Sequence, residues 1–272
     1  RHLIMSETLF SRVAFIGFGL IGSSLARALR KHNLTQEIAV CEINPEYRRK
    51  AAELALADYF SAEPGEVIKG ADLVMLCAPV GATAEIMQKI ASHLQPGMIL
   101  SDVGSVKMAV ERDVLPQLPQ GVLWVPGHPV AGTENSGPAS GFAELFDGRW
   151  CILTPAESVP QAAVEKVAAM WQRVGMQVET MTAEHHDRVM AVVSHVPHLI
   201  AYTIVGTADD MENQLKKEVI KYSASGFRDF TRIAASDPTM WRDISLANSD
   251  AVLEVLQRFS EDLSALQRSI RW

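Results

Sequence analysis

Cysteine is scarce in this chain of 272 residues: Cys41, Cys77 and Cys151 lie far apart, in apolar contexts such as LVMLCAP. Such spacing supports neither a disulfide framework nor a thiolate metal site, and a reducing cytoplasm fits it best. Cations are in deficit too, with 25 Lys and Arg against 32 Asp and Glu and a formal net charge of -7. Phosphate contacts need a clustered cationic excess, so nucleic acid is not expected as a partner. No run approaches the ~20 apolar residues that cross a bilayer, and the N-terminus lacks a basic-then-apolar leader, so no membrane association is expected. What is present is 48% hydrophobic and 21% charged content, enough for one large or two modest cores. Arg1 is not an initiator, and the stretch RHLIM is read as an appendage or as the cut edge of a longer polypeptide.

From Arg12 to about Met181, short apolar runs alternate with amphipathic stretches, the pattern of βαβ units around a buried parallel sheet. Strands are expected at 13–19, 37–43, 72–79, 98–104, 122–126, 150–155 and 176–181. Helices are expected at Leu20–Lys31, Pro45–Leu56, Thr83–Leu94, Val106–Leu115 and Pro160–Val174. Strands with so few polar residues need cover on both faces, which makes a doubly wound, mostly parallel α/β sheet the economical architecture. After Met181 helical periodicity takes over, through Ala183–Gly206, Asp209–Ser225 and Trp241–Ile270. The division is therefore residues 1–181 as an α/β domain and 182–272 as an all-helical one. Leu246, Leu253, Leu256, Leu263 and Leu266 form a stripe along the last helix that needs a partner surface, and a homodimer is expected to supply it.

Gly17-Phe18-Gly19-Leu20-Ile21-Gly22 follows an apolar strand and opens a helix. In that setting the first glycine permits a tight turn, the second lets a pyrophosphate approach the backbone, and the third allows close helix–strand contact. The first-turn amides of the helix then face the anion. Glu42 stands at the end of the next strand, where a carboxylate can accept from the adenosine ribose hydroxyls. That favours NAD over NADP, although Arg48 and Arg49 on the following helix are cations that a 2′-phosphate would welcome. Ala78-Pro79-Val80 and Asp102 to Ser105 are expected along the same sheet edge, near the nicotinamide, with simple turn roles as the other reading of Pro79 and Gly104.

His128 follows another apolar strand within Gly127-His128-Pro129-Val130-Ala131-Gly132-Thr133-Glu134. Imidazole titrates near neutrality, so it suits a base that removes a hydroxyl proton as hydride leaves the same carbon. The ordered set GFGLIGSS, SDVGSVK, GHPVAGTENSG, EHHDRVMAVVSHVPHLIA and GFRDFTRIAASDPTMWRDI resembles the prephenate/arogenate (cyclohexadienyl) dehydrogenase family from about Val13 to Ile270. The resemblance implies a Rossmann-type domain followed by a helical dimerisation domain. It implies NAD-dependent oxidative decarboxylation of prephenate to 4-hydroxyphenylpyruvate, or of arogenate to tyrosine, in the cytoplasm, with no metal.

By the same resemblance His128 contacts the substrate hydroxyl, with Ser105 close to it and to the nicotinamide. Lys107 fits the SVK loop and orients His128 or the cofactor, unless it is merely solvated. Arg232 matches the carboxylate-binding arginine, with Arg228 as a competitor and an ion pair to Asp229 or Asp237 as the bland reading. His198, Thr133, Glu134 and Trp241 fall near the substrate, while His186 and Asp187 belong to a structural or domain-linking network. A loop-stabilising carboxylate remains the alternative for Glu134, and a core position for Trp241. On a continuous helix Asp187 and His198 would lie within about 20° of each other. His195 and His198 lack a third ligand of useful spacing, so zinc is not expected. Rival readings are another dehydrogenase of 3-hydroxyacid or imine-reductase type, or a non-catalytic NAD-binding protein. The chain ends at Trp272 without a mutase or regulatory segment, so tyrosine feedback is expected to act at the active site itself. Prephenate and arogenate share their ring, and dual specificity is expected.

Overall fold

A computed structural model describes residues 7–211 and 213–271; the RHLIM stretch and Trp272 lie outside the described residues. The chain divides into two units, Arg1–His186 and Asp187–Trp272.

The first unit opens with β1 (Phe10–Ile16), α1 (Leu20–Lys31), β2 (Thr35–Cys41), α2 (Pro45–Glu53), β3 (Tyr59–Ser61), α3 (Pro64–Ile68), β4 (Leu73–Leu76), α4 (Thr83–Ile90), β5 (Ile99–Asp102), α5 (Met108–Val114) and β6 (Leu123–Val125). These strands form a parallel sheet in the order β3-β2-β1-β4-β5-β6. The order reverses between β1 and β4, which is the switch point where an open α/β sheet receives ligands beyond its strand ends. Apolar side chains clothe both faces. Val13, Phe15, Leu25, Leu29 and Val40 belong to one core, and Ala14, Ile16, Val74, Met87 and Leu100 to the other. Successive residues of β1 thus alternate between the two faces, as the pleat requires.

Two features of this unit depart from expectation. β3 and α3 are too short to declare themselves in a periodicity. The chain also leaves the parallel sheet after Val125, and β7 (Gly127–Pro129) pairs antiparallel with β8 (Trp150–Leu153), which runs parallel to β9 (Gln177–Thr180) after α6 (Gln161–Arg173). One seven-stranded sheet is therefore replaced by six strands plus three. Pro126, with no N–H to donate, stands at the change of sheet, and its carbonyl takes the Thr154 amide of the small sheet at 3.0 Å.

The second unit is helical. α7 (Ala183–Met190) runs up to it and continues through a π segment (Ala191–His195) into α8 (Val196–Asp209), followed by α9 (Asn213–Tyr222), α10 (Ser225–Ala234), α11 (Pro238–Ala247) and α12 (Ser249–Ile270). Pro197 cannot donate to the carbonyl four residues back, and its ring crowds that carbonyl. A widened turn just before it relieves both problems. The 20° alignment of Asp187 with His198, which assumes a regular helix, therefore does not apply. The single helix expected at Trp241–Ile270 is broken at Asn248, and α10 is a helix where the periodicity indicates none. Ala183–Asp209, contrary to the sequence reading, is long and apolar enough to cross a membrane by length and composition, a test that the core helix of a soluble protein also passes.

Candidate active site

At the tip of β1 each glycine meets a different constraint. Gly17 has φ +87°, and a Cβ there would come within 2.9 Å of the Ala78 nitrogen. A Cβ on Gly22 would press on Cys77 Cβ and the Gly17 carbonyl at 3.2 Å. Over Gly19 nothing lies within 4 Å. Gly19 also precedes α1, whose N-terminus has no side-chain cap and no acidic residue in its first turn. Open space above a glycine, with uncapped amides behind it, fits a dinucleotide pyrophosphate.

Glu42 is buried rather than solvated. Its carboxylate accepts from the Phe18 amide at 2.9 Å and the Asn44 amide at 2.8 Å, and Arg48 donates to its carbonyl at 2.6 Å. A carboxylate at the end of β2 thus holds the middle of the glycine turn in place. Leu20 and Ile21 open α1, and Ala78, Pro79 and Val80 follow β4 beside Gly17.

At the end of β5 the structure corrects two assignments. Lys107 is fully buried, not solvated, and its ammonium donates to Asp102 Oδ2 at 2.5 Å and to the Gly127 carbonyl. Asp102, 2% exposed, is an internal anion rather than a residue facing the nicotinamide. Its Oδ2 also accepts from Gly104 N–H at 2.9 Å, and its Oδ1 from Gly127 N–H at 3.0 Å. Both backbone groups of Gly127 are thus gripped by one ion pair. Lys107 therefore acts on the residue before His128 and not through any outward-facing charge. Ser105 is half-buried, and its hydroxyl has no hydrogen-bond partner among the described residues.

His128 itself lies in the middle of β7, opposite Ile152, and not at the tip of a parallel strand. It is 7% exposed, and its Nδ1 lies 2.7 Å from Nε2 of the fully buried His186, the rings meeting edge to face. The loop that follows is exposed at Thr133 and Glu134. Thr133 Oγ1 accepts from the Asn135 amide at 3.2 Å, whereas Glu134 takes no hydrogen bond or ion pair among the described residues. A loop-stabilising role for Glu134 thus finds no support.

In the helical unit His198 and Trp241 stack with ring centroids 3.5 Å apart and planes inclined by 13°. His198 Nδ1 donates to the Ser194 carbonyl at 2.8 Å, and burial lowers its pKa, so the ring is neutral and Nε2 is its acceptor. His195 is buried edge-on to the same indole and pairs with Asn248, whose amide also donates to the Asp187 carbonyl at 2.9 Å. Arg232 is exposed on α10, and among the described residues its guanidinium reaches only Asp229, at 3.9 Å with both groups in solvent, a pair worth little. Arg228 is exposed on the same helix. No cluster of three or more metal-ligating side chains occurs among the described residues. Sequence reasoning misses the Asp102–Lys107 grip, the contact of His128 with His186, and Asn248. The one signal in the sequence is a Lys and an Asp flanking a glycine turn at the end of an apolar strand.

Comparison with known proteins adds a second line. Residues 25–180 match the family described as prephenate dehydrogenase, nucleotide-binding domain, and residues 182–272 that described as prephenate dehydrogenase, dimerization domain. A cyclohexadienyl dehydrogenase of Zymomonas mobilis is 41% identical, over 97% of this chain and 89% of its own. Prephenate dehydrogenase of A. aeolicus, solved with hydroxyphenyl propionate and NAD+, is 37% identical with a TM-score of 0.88, covering 96% of this chain and 90% of that one. Arogenate dehydrogenase of Synechocystis is 26% identical with a TM-score of 0.79, covering 96% of this chain and 92% of that one.

Proposed function

Because the chain belongs to the prephenate dehydrogenase family, we propose that it catalyses NAD-dependent oxidative decarboxylation of prephenate, of arogenate, or of both, in a reducing cytoplasm. Residues 1–181 hold the nucleotide, and residues 182–272 bind substrate and join two copies. The observation that carries the chemical reading is a buried imidazole, His128, held from behind at Nδ1 and through its backbone neighbour Gly127.

Gly17, Gly19, Leu20, Ile21 and Gly22 would cradle the pyrophosphate, and Glu42 the adenosine ribose. Glu42 disfavours a 2′-phosphate despite Arg48, so NAD is preferred over NADP. Ala78, Pro79, Val80 and Ser105 would line the nicotinamide. When bound, the cofactor supplies the acceptor for the hydride that leaves the hydroxyl-bearing ring carbon.

Nε2 of His128 takes the hydroxyl proton as carbonyl character builds at that carbon. The ring carboxylate then departs as carbon dioxide and its electron pair enters the ring. The phenolate oxygen so formed takes the proton back from His128, and no proton is gained or lost overall. Ser105 places its hydroxyl beside this exchange. Arg232 offers a planar fork to a carboxylate of the substrate. Thr133, Glu134, His198 and Trp241 receive its side chain. The bare carboxylate of Glu134 suits the ammonium of arogenate, which supports dual specificity, as does the name of the Zymomonas relative.

The test is absorbance of reduced cofactor with NAD and each substrate in turn. Reduction with one or both is expected; none with either would return the chain to the other dehydrogenase class. Turnover undiminished in His128→Asn would instead favour a protein that binds NAD without using that base.

A further inference from the structure

His128 Nδ1 and His186 Nε2 face each other at 2.7 Å, and two imidazoles that are both uncharged can share such a hydrogen bond in only two ways. In one, His128 Nδ1–H donates to His186 Nε2, and the lone pair of His128 Nε2 is available to accept a proton. In the other, His186 Nε2–H donates to His128 Nδ1, and His128 Nε2 already carries its hydrogen. Only the first leaves His128 able to act as a base. Two hydrogens facing each other, or two lone pairs, would be repulsive at this distance in a buried site.

We propose that His186 is a positioning residue that sets the tautomer of His128 by keeping Nε2 as the acceptor of the shared bond. The inference rests on the reading of His128 as base and deepens it. While His128 holds the borrowed proton at Nε2, its Nδ1–H still donates to His186 Nε2, so the bond survives the charged stage without rearrangement. The O–H bond of the substrate breaks as the N–H bond at Nε2 forms, and the reverse exchange returns that proton to the phenolate. An imidazole partner carries no negative charge. It steadies the transient imidazolium less than a carboxylate would, and so lets the proton leave again. Both rings are buried, so water does not compete for the shared bond.

The tautomers are read directly from ring 15N shifts and their couplings to carbon-bound protons in the full-length, 15N-histidine-labelled protein, with His128→Asn and His186→Gln spectra giving the assignments. The expected result is a protonated Nδ1 and an unprotonated Nε2 on His128. His186→Leu should move the proton towards Nε2 and lower kcat on the order of a hundredfold, within the range that general-base catalysis supplies, while the KM for NAD stays within about twofold. His186→Gln, whose amide oxygen can accept from His128 Nδ1, should restore most of that loss. A wild-type spectrum with the hydrogen on Nε2 would overturn the proposal, as would a His186→Leu enzyme with unchanged tautomer and kcat. If His186→Leu does not fold, the wild-type spectrum and the glutamine variant decide. Loss of turnover in His128→Asn together with an Nε2–H tautomer in the wild type would sink only the role of His186. Retention of turnover in His128→Asn would sink the base itself.

Discussion

In the first unit, apolar side chains on both faces of the parallel sheet find cover within the same unit, from α1 and α6 on one side and α4 and α5 on the other. Its buried charges are also settled internally, as Lys107 with Asp102 shows. In the second unit a buried apolar cluster is built on Ala191, Val196 and Val252, with Ala201, Trp241 and Ile244 also buried among the described residues. Large apolar side chains remain exposed on α9 and α12, among them Leu215, Ile220, Leu253, Leu263, Leu266 and Ile270. Burial of apolar area is the main favourable term in folding, so in the homodimer proposed above the second copy covers these exposed side chains. The sheet unit stands on its own packing; in the proposed homodimer the helical unit is one half of a core.

That contrast breaks most visibly at α12. Leu263→Glu with Leu266→Glu places charge on a face meant to be dry, and in a two-fold dimer each change counts twice. Each leucine removed forfeits about 1.5–3 kcal/mol of burial. Sedimentation velocity at micromolar concentration should show a dimer for the wild type and a monomer for the double variant, and substrate turnover should fall with the dimer. A wild-type monomer would overturn the contrast outright.

The next largest effect belongs to the first unit. Asp102→Ala leaves the Lys107 ammonium buried without its counter-ion, a loss of about 3–5 kcal/mol, whereas Asp102→Asn with Lys107→Met removes both charges and should recover much of it. Urea unfolding measures the difference. Were the single variant no less stable than the double, the ion pair would not be what anchors Gly127. Smaller again is Arg232→Gln. A charge-assisted bond to a carboxylate is worth about 1.5–3 kcal/mol, so the KM for substrate should rise roughly 10- to 100-fold. The KM for NAD should hold. Equal rises in both would reassign Arg232 to the fold.

The same contrast explains which elements are legible in the amino-acid sequence. α1 is legible to the residue, Leu20 to Lys31, because a glycine turn starts it and its apolar periodicity is regular. β7 is not legible: Gly127-His128-Pro129 has no alternation, and only pairing with Ile152 makes it a strand. His128 and Arg232 can be named from motif, but no motif states that Lys107 is buried or that His186 sits against His128. Those facts belong to contacts between residues 20 and 58 positions apart. In the second unit the π segment before Pro197 is hidden for a different reason. Apolar periodicity reports which face is covered and not how tightly the turn is wound, so Ala183–Gly206 reads as one regular helix.

The smallest expected effect separates the two units by pH. His198 is stacked on Trp241 and partly buried, and desolvation lowers its pKa from 6.5. The sign follows from proton counting. Above the unfolded value the ring is neutral whether the chain is folded or not, and pH does not matter. Below about 6.5 the unfolded chain gains a proton that the folded ring resists, so folding loses free energy as the pH falls. The melting temperature of the wild type should therefore drop more between pH 7.5 and 5.5 than that of His198→Gln, which keeps a polar side chain but cannot titrate. His198 belongs to the helical unit, so the difference between the two proteins should appear in that unit's amide exchange and not in that of β1 or β4. Parallel melting curves at both pH values would mean that the imidazole is charged as readily against the indole as in water, and the stacked pair would then not be the dry contact on which this end of the molecule depends.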